Sequence, residues 1–268
     1  MQNSPVITLT TDFGLEDPFA GVMKGVIMGI NPRAAVIDLS HGIASHDIRG
    51  AALTIGMNYG FFPERTAHVV VVDPGVGSRR RPLLVATEAH YFIGPDNGIF
   101  SSIFEKERDS LRVIHITAGH YFLRTMSPTF QGRDVFAPVA AWLTRGKNFR
   151  NFGEEITDYE TIDLPMPALK KNILKGEVIF IDKFGNAMTN VGRAEIDALS
   201  GRPAGRGVKV FLGKKEVPLS EFYGQAAGRG LHAVINSSEY LEFFVNRGNA
   251  ARKFDISVGD IVEIKKRP

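Results

Sequence analysis

A carboxylate and a guanidinium seven residues apart, Asp73 and Arg80, stand in the segment Asp73-Pro74-Gly75-Val76-Gly77-Ser78-Arg79-Arg80-Arg81, directly after an unbroken β-branched run. An arginine beside an aspartate favours the ionised form of the acid, and an ionised carboxylate can accept a proton from an attacking nucleophile. Gly75 and Gly77 permit backbone conformations that other residues avoid, so successive amides of this loop can also line an anion-binding concavity. The same residues equally suit a tight turn closed by a surface ion pair. The spacing of a phosphate-binding P-loop is absent, and no Lys-Ser or Lys-Thr opens the next helix. Earlier in the chain, Thr11-Asp12-Phe13-Gly14 follows the first apolar run. Asp12 can accept two hydrogen bonds from a vicinal diol such as a ribose, or it can cap the turn. Asp-Phe-Gly also occurs in protein kinases, but here neither a glycine-rich loop nor a His-Arg-Asp segment precedes it. A third polar segment is Thr129-Phe130-Gln131-Gly132-Arg133-Asp134. Gln131 can orient a water without exchanging a proton with it, and the amides of a helix start stabilise developing negative charge; a plain capping segment has the same composition. Towards the C-terminus, Asp182-Lys183-Phe184-Gly185-Asn186 and Asn236-Ser237-Ser238 interrupt strand-like runs, either as binding loops or as ordinary hairpin turns. The seven histidines show no metal-ligand spacing, so no essential metal is expected.

These segments need a scaffold, and the first half of the chain alternates short apolar runs with helical patterns. Residues 6–10 predict a buried strand. Asp17-Pro18 then predicts an N-cap and first turn for a helix whose apolar face is Phe19, Val22, Met23, Val26, Ile27 and Ile30, stopped by Asn31-Pro32. Residues 35–39 predict the next strand, and Ile48, Ala51, Ala52 and Ile55 the next helix. Residues 69–72 predict a strand covered on both faces, as in a parallel sheet. Further strands are expected at 83–87 and 91–93. Asp134 is expected to cap a helix that buries Val135, Phe136, Val139, Trp142 and Leu143, with Pro138 tolerated in its first turn. The polar segments fall at the C-terminal ends of these strands, where open α/β sheets present their ligand-contacting loops.

Leu164-Pro165-Met166-Pro167 predicts a linker, after which helical periodicity largely disappears. Apolar runs at 178–181, 187–191, 208–212, 232–235, 241–245 and 261–264 suggest a small antiparallel barrel or sandwich. The expected architecture is therefore an N-terminal α/β domain with a mostly parallel sheet over residues 1–165, and a smaller C-terminal antiparallel β-barrel domain over 166–268. Clefts between such domains are common ligand sites.

Composition narrows the function. With 32 basic and 29 acidic residues the net charge is only +3, too little to argue for nucleic acid. The densest basic runs are Arg79-Arg80-Arg81 and Lys265-Lys266-Arg267, the latter expected as a solvated tail. The chain has no cysteine, which excludes disulfides, thiolate metal sites and cysteine nucleophiles. No signal peptide and no bilayer-spanning window are apparent, so a cytoplasmic protein without membrane partners is expected.

Together the motifs resemble those of the S-adenosyl-L-methionine (SAM) hydroxide adenosyltransferases, or SAM hydrolases, relatives of the fluorinating and chlorinating SAM enzymes. The resemblance rests on Thr-Asp-Phe-Gly at 11–14, Asp-Leu-Ser-His ending at His41, Asp-Pro-Gly-Val-Gly-Ser from 73 with its arginines, Gly-Pro-Asp-Asn-Gly at 94–98, Phe-Gln-Gly-Arg-Asp at 130–134, Asp-Lys-Phe-Gly-Asn at 182–186 and Asn-Arg-Gly-Asn-Ala-Ala at 246–251. It implies an α/β domain followed by a β barrel, a homotrimer with active sites between neighbouring subunits, and hydrolysis of SAM, as substrate and without a cofactor, to adenosine and methionine. Carried over to this chain, it implies that Asp12 holds the ribose hydroxyls and that Asp73 and Arg80 handle the attacking water. His46, Phe130, Phe184, Asn186 and Phe222 would line the adenosine pocket, and Asp182 and Ser237 would bind the methionine amine and carboxylate. Three departures stand out. Gln131 occupies the position of a histidine in typical hydrolases, Ser238 that of an arginine in the fluorinating relatives, and Gly132 that of their halide-site serine. The alternatives to a SAM hydrolase are a chloride-dependent SAM adenosyltransferase, a non-catalytic binder of adenosine or SAM, and an unrelated phosphate-binding hydrolase using the Arg79–Arg81 loop.

Overall fold

A computed structural model describes residues 4–203 and 207–267, and the chain divides into two compact units, Met1–Leu164 and Pro165–Pro268. The first unit is built on one sheet of seven strands: β1 (Val6–Thr11), β2 (Ala35–Ser40), β3 (Ala67–Val71), β4 (Pro82–Ala86), β5 (Tyr91–Pro95), β6 (Arg112–Ile116) and β7 (Gly153–Ile156). Their spatial order is β2-β1-β3-β5-β4-β6-β7. The pairings β2-β1, β1-β3 and β3-β5 are parallel, and β5-β4, β4-β6 and β6-β7 are antiparallel. Two successive reversals return β6 to the direction of the first four strands, so five of the seven run the same way and the sheet is mostly parallel, as expected.

Helices α1 (Phe19–Ile30) and α4 (Ala137–Thr144) cover one face, and α2 (Ile48–Asn58) and α3 (Ser101–Lys106) the other. The strand periodicity of two explains why β3 is apolar throughout. Val69 and Val71 enter the core beneath α1 and α4, while Val70 enters the core beneath α2 and α3. Each such fully buried side chain contributes roughly 1.5–3 kcal/mol relative to exposure.

Several local expectations are corrected. Asp17 does not cap α1: the capping position is Pro18, with no side-chain hydrogen bond. The face of α1 is narrower than its pattern, because Met23 and Ile27 are buried while Phe19 and Val22 are substantially exposed. Asp134 does not cap a helix either. It is buried inside a wide π turn, Gly132–Phe136, that runs directly into α4, where Pro138 sits in the first turn as expected. Val135, Phe136, Val139 and Leu143 are buried and Trp142 is half-buried. Strands β6 and β7 have no counterpart among the elements that the sequence pattern predicts.

Every pairing between the named strands of the second unit is antiparallel. Its strands are β8 (Ala168–Lys170), β9 (Ile173–Ile181), β10 (Ala187–Gly192), β11 (Val208–Leu212), β12 (Lys215–Val217), β13 (His232–Ile235), β14 (Tyr240–Phe244) and β15 (Ile261–Lys266), in the order β12-β11-β15-β9-β10-β14-β13 with β8 added on β9. The long β9 turns a corner: its first half pairs with β15 and its second half with β10. The two ends of the sheet then meet, since Ala233 N–H donates to Pro218 O at 2.9 Å and Ser220 N–H to Ala233 O at 2.8 Å, just beyond β12. This closure makes the unit barrel-like and leaves no long open edge. Two short helices, α5 (Arg193–Ser200) and α6 (Ala250–Phe254), were not foreseen. Lys265 and Lys266 belong to β15, not to a solvated tail, and Arg267 donates through Nε to Val208 O at 3.0 Å.

Candidate active site

The end of β1 is tied to the loop that follows β2. Thr11 Oγ1 lies 2.8 Å from His41 Nδ1 and accepts the Phe13 N–H, while Gly14 N–H donates to His41 O at 2.9 Å. The other ring nitrogen of His41, which is buried, lies within 2.9 Å of Asp38 Oδ1. Asp12 accepts the backbone N–H of His46 at 2.9 Å, and His46 adopts the left-handed conformation with φ 67°. One carboxylate oxygen of Asp12 is therefore used in holding the loop. The residue is half-buried, and the other oxygen has no protein partner among the described residues.

Just past β3, Asp73 and Arg80 form a two-point ion pair, with Nε to Oδ1 at 2.8 Å and Nη2 to Oδ2 as the second contact. Both side chains are more than nine-tenths buried, and the guanidinium lies 5.5 Å from the centroid of the Phe136 ring. The neighbouring Arg81 points elsewhere, to the buried Asp96 at 2.7 Å and to Asp158 at 2.9 Å. Carboxylates thus engage two of the three arginines of this loop. Gly77 has φ +81°, and a Cβ there would stand 2.7 Å from Pro128 O, so this loop abuts the segment leading to Gln131. Two polar atoms in the region are buried without a hydrogen-bond partner, Arg80 Nη1 and Gln131 Oε1. One is a donor and the other an acceptor.

The segment before the π turn is anchored by Asp134, which accepts the Ser127 N–H at 2.7 Å and pairs with Arg133 at 2.6 Å. Phe130 meets Phe19 edge-on at 5.3 Å and Phe13 at 5.9 Å. The structure thus brings Asp12, Phe130, Gln131, Asp73 and Arg80 to one end of the first sheet. His46 joins them through its backbone.

Within the second unit, Asp182 organises the β9–β10 turn. Its Oδ1 accepts the N–H groups of Phe184 (2.9 Å) and Asn186 (2.8 Å), and its Oδ2 accepts Asn186 Nδ2 (3.1 Å). Phe184 and Phe222 are 64% and 59% exposed, which is unusual for side chains of this size unless they meet a partner. Ser237 is exposed in the β13–β14 turn, where Asn236 Oδ1 accepts the N–H groups of Ser238 (2.9 Å) and Tyr240 (3.2 Å). Among the described residues no group of three or more His, Asp or Glu is placed to hold a metal ion, and no helix is long and apolar enough to cross a membrane.

Sequence profiles of the SAM hydroxide adenosyltransferase N-terminal domain and C-terminal domain match residues 7–153 and 176–263. The chain belongs to the SAM hydroxide adenosyltransferase family. It is 36% identical to a Thermus thermophilus protein named (R)-S-adenosyl-L-methionine hydrolase, over 95% of this chain and 97% of that one. A protein of the same name from Methanocaldococcus jannaschii is 33% identical over 97% and 95% of the two chains. A fluorinase of Nocardia brasiliensis is more distant, at 24% over 97% of each. Among solved structures, that of an uncharacterized conserved protein from Thermotoga maritima superposes with a TM-score of 0.90 at 32% identity, covering 97% of this chain and all of the other.

Within this SAM hydroxide adenosyltransferase fold, Gly132 is tightly enclosed: a Cβ there would meet Met23 Sδ and Phe130 Cε2, both at 3.2 Å. A serine would have to displace one of them. Sequence reasoning gave no role to Asp96, which orients Arg81 and accepts the Glu160 N–H at 2.8 Å, nor to Asn97, whose Nδ2 donates to Val72 O at 3.0 Å. Both lie in the Gly-Pro-Asp-Asn-Gly stretch, so the signal was present. It also passed over Glu242, a charged residue inside the apolar run 241–245 that is 6% exposed.

Proposed function

We propose that this protein hydrolyses S-adenosyl-L-methionine to adenosine and L-methionine by in-line attack of water on C5′. The observation that carries the reading is the buried Asp73–Arg80 pair, with Arg80 Nη1 and Gln131 Oε1 unpartnered, at the same end of the sheet as a half-buried Asp12 with one free oxygen. An unpaired buried donor or acceptor costs about 1–3 kcal/mol, so in the proposed complex each of these atoms takes a partner from water or substrate. In the reaction the water oxygen bonds to C5′ as the C5′–S bond breaks, and its electron pair leaves with sulfur. The thioether departs neutral, so no general acid is required. The water grows acidic as its bond forms, and Asp73 takes the released proton while Arg80 fixes the carboxylate. Gln131 orients the water without titrating. Holding the water in line supplies up to roughly 7–11 kcal/mol, the largest contribution.

Asp12 holds the ribose hydroxyls. His46, Phe130, Phe184, Asn186 and Phe222 contact adenosine, and Asp182 and Ser237 contact the amino acid. The reading asks for no metal or other cofactor. It extends to a cytoplasmic location and to a homotrimer with sites shared by neighbouring subunits, and light scattering tests the trimeric mass. The relatives' names specify the R form, so the deciding assay incubates each sulfonium epimer of SAM in halide-free, ¹⁸O-enriched water. Adenosine carrying ¹⁸O at the 5′ position is expected. Product that forms only with added chloride would indicate an adenosyltransferase, and intact SAM after prolonged incubation would indicate a binder.

A further inference from the structure

Glu242 lies at the middle of β14, buried between Leu241 and Phe243 on a strand whose other residues are apolar or aromatic. Its two carboxylate oxygens take different partners. Oε1 accepts the hydroxyl of Tyr223 at 2.8 Å, and Oε2 accepts Nδ2 of Asn236 at 3.0 Å. Each partner belongs to a loop that carries a candidate substrate contact. Tyr223 adjoins Phe222 in a short 3-10 turn, and its ring stands edge-on to the buried Phe244 at 4.9 Å. Asn236 shapes the β13–β14 turn that carries Ser237, by accepting the N–H groups of Ser238 and Tyr240. Both donors are neutral. A carboxylate in so enclosed a place carries a desolvation cost that an apolar residue on the same strand would avoid, so its retention needs an account beyond stability.

We propose that Glu242 is a positioning residue, whose buried carboxylate fixes through Tyr223 and Asn236 the two loops that present Phe222 to adenosine and Ser237 to methionine. The inference rests on the functional reading above. Phe222 is 59% exposed and Tyr223 46% exposed, so apolar packing alone does not hold this turn. The Tyr223 phenol is raised above its ordinary pKa by burial, then by its hydrogen bond to Glu242 and by the charges of Glu242 and Asp182, so the hydroxyl keeps its proton and remains a donor. One carboxylate thus sets two loops at once, which links the affinity for the nucleoside to that for the amino acid.

The test is calorimetric titration of the full chain with adenosine, and with L-methionine in the presence of saturating adenosine, beside KM and kcat for SAM. Glu242→Leu removes both anchors and is expected to weaken each ligand by about tenfold, raising KM with kcat little changed. Glu242→Gln is expected to stay within about threefold of the parent, because an amide can donate to the Tyr223 hydroxyl and accept from Asn236. The half-variants separate the arms: Tyr223→Phe weakens adenosine alone, and Asn236→Asp, which keeps the acceptor of the turn but loses the link to Glu242, weakens methionine alone. They also carry the test if Glu242→Leu does not fold. A Glu242→Gln variant as damaged as Glu242→Leu would mean that the charge matters and not the anchoring, and would overturn the proposal. Half-variants that leave both ligands unaffected would do the same. A parent protein that binds neither ligand would bring down the functional reading itself, and this inference with it.

Discussion

The two ends of strand β3 both bury polar groups, and they do so in opposite ways. Near its start, His68 is fully buried, with Nδ1 2.8 Å from Thr8 Oγ1 and with the rings of Phe92, His90 and Phe62 at 5.1, 5.3 and 5.5 Å. Burial, and then the neighbouring His90, push its pKa down to about 3, so the imidazole is neutral. Just past the other end, Asp73 and Arg80 are paired with each other, beside residues that are only half-buried. Both ends contain a polar atom without a partner, His68 Nε2 in one case and Arg80 Nη1 in the other. Lack of a partner alone therefore does not mark a site. What distinguishes the second end is a retained pair of charges that opens towards accessible groups.

Damage at the two ends accordingly has different consequences. The largest effect is expected from Asp73→Asn, which should lower the turnover of SAM by about 10²–10⁴-fold with SAM binding changed far less. Single-turnover kinetics beside equilibrium binding check this, and an undiminished rate would remove Asp73 from the mechanism. At the opposite end the effect is on stability. Because the folded state holds His68 at about 3 while an unfolded histidine titrates near 6.5, the unfolded chain takes up the proton first as pH falls. The contribution is fully present above about pH 6.5 and is lost between there and about pH 3, the loss reaching about 2 kcal/mol at pH 5. Denaturant melts at pH 7 and pH 5 measure it. His68→Gln should flatten this dependence while leaving the rate at pH 7 within about twofold, since the change lies outside the reacting region.

The smallest effect sharpens the contrast within the site. With Gln131 in place no histidine side chain faces the attacking water in the proposed mechanism, so kcat should be flat from about pH 6 to pH 8. Gln131→His should introduce a limb near the histidine pKa of about 6.5 and change the plateau rate only several-fold. A parent profile that already bends there would show that another titrating group takes part.

Much of this was visible in the residues themselves. The β-branched run at 69–72 and the polar segments that follow strands β1 and β3 pointed to the right end of the right sheet, since a strand covered on both faces has few other ways to be so apolar. The seven-residue separation of Asp73 and Arg80 was enough to suggest a pair. It did not show which of the three consecutive arginines turns inward, because that depends on where Asp96 and Phe136 stand after folding. The cap expected at Asp134 failed for a related reason. Local sequence cannot distinguish an acid that caps a helix from one that ties Ser127 to Arg133 across a distorted turn. Glu242 was overlooked because averaging over an apolar run hides the single charge within it.

The wide turn at Gly132–Phe136 has a further consequence. Relative to ordinary winding it holds one surplus residue, and each residue of an α-helix accounts for about 100° of rotation. Excising that residue would swing the preceding chain by this angle and re-aim the amide of Gln131, although no side chain of the proposed site had been altered. The aim of Gln131 is thus set by a helical defect placed after it, one that substitutions at position 131 leave untouched.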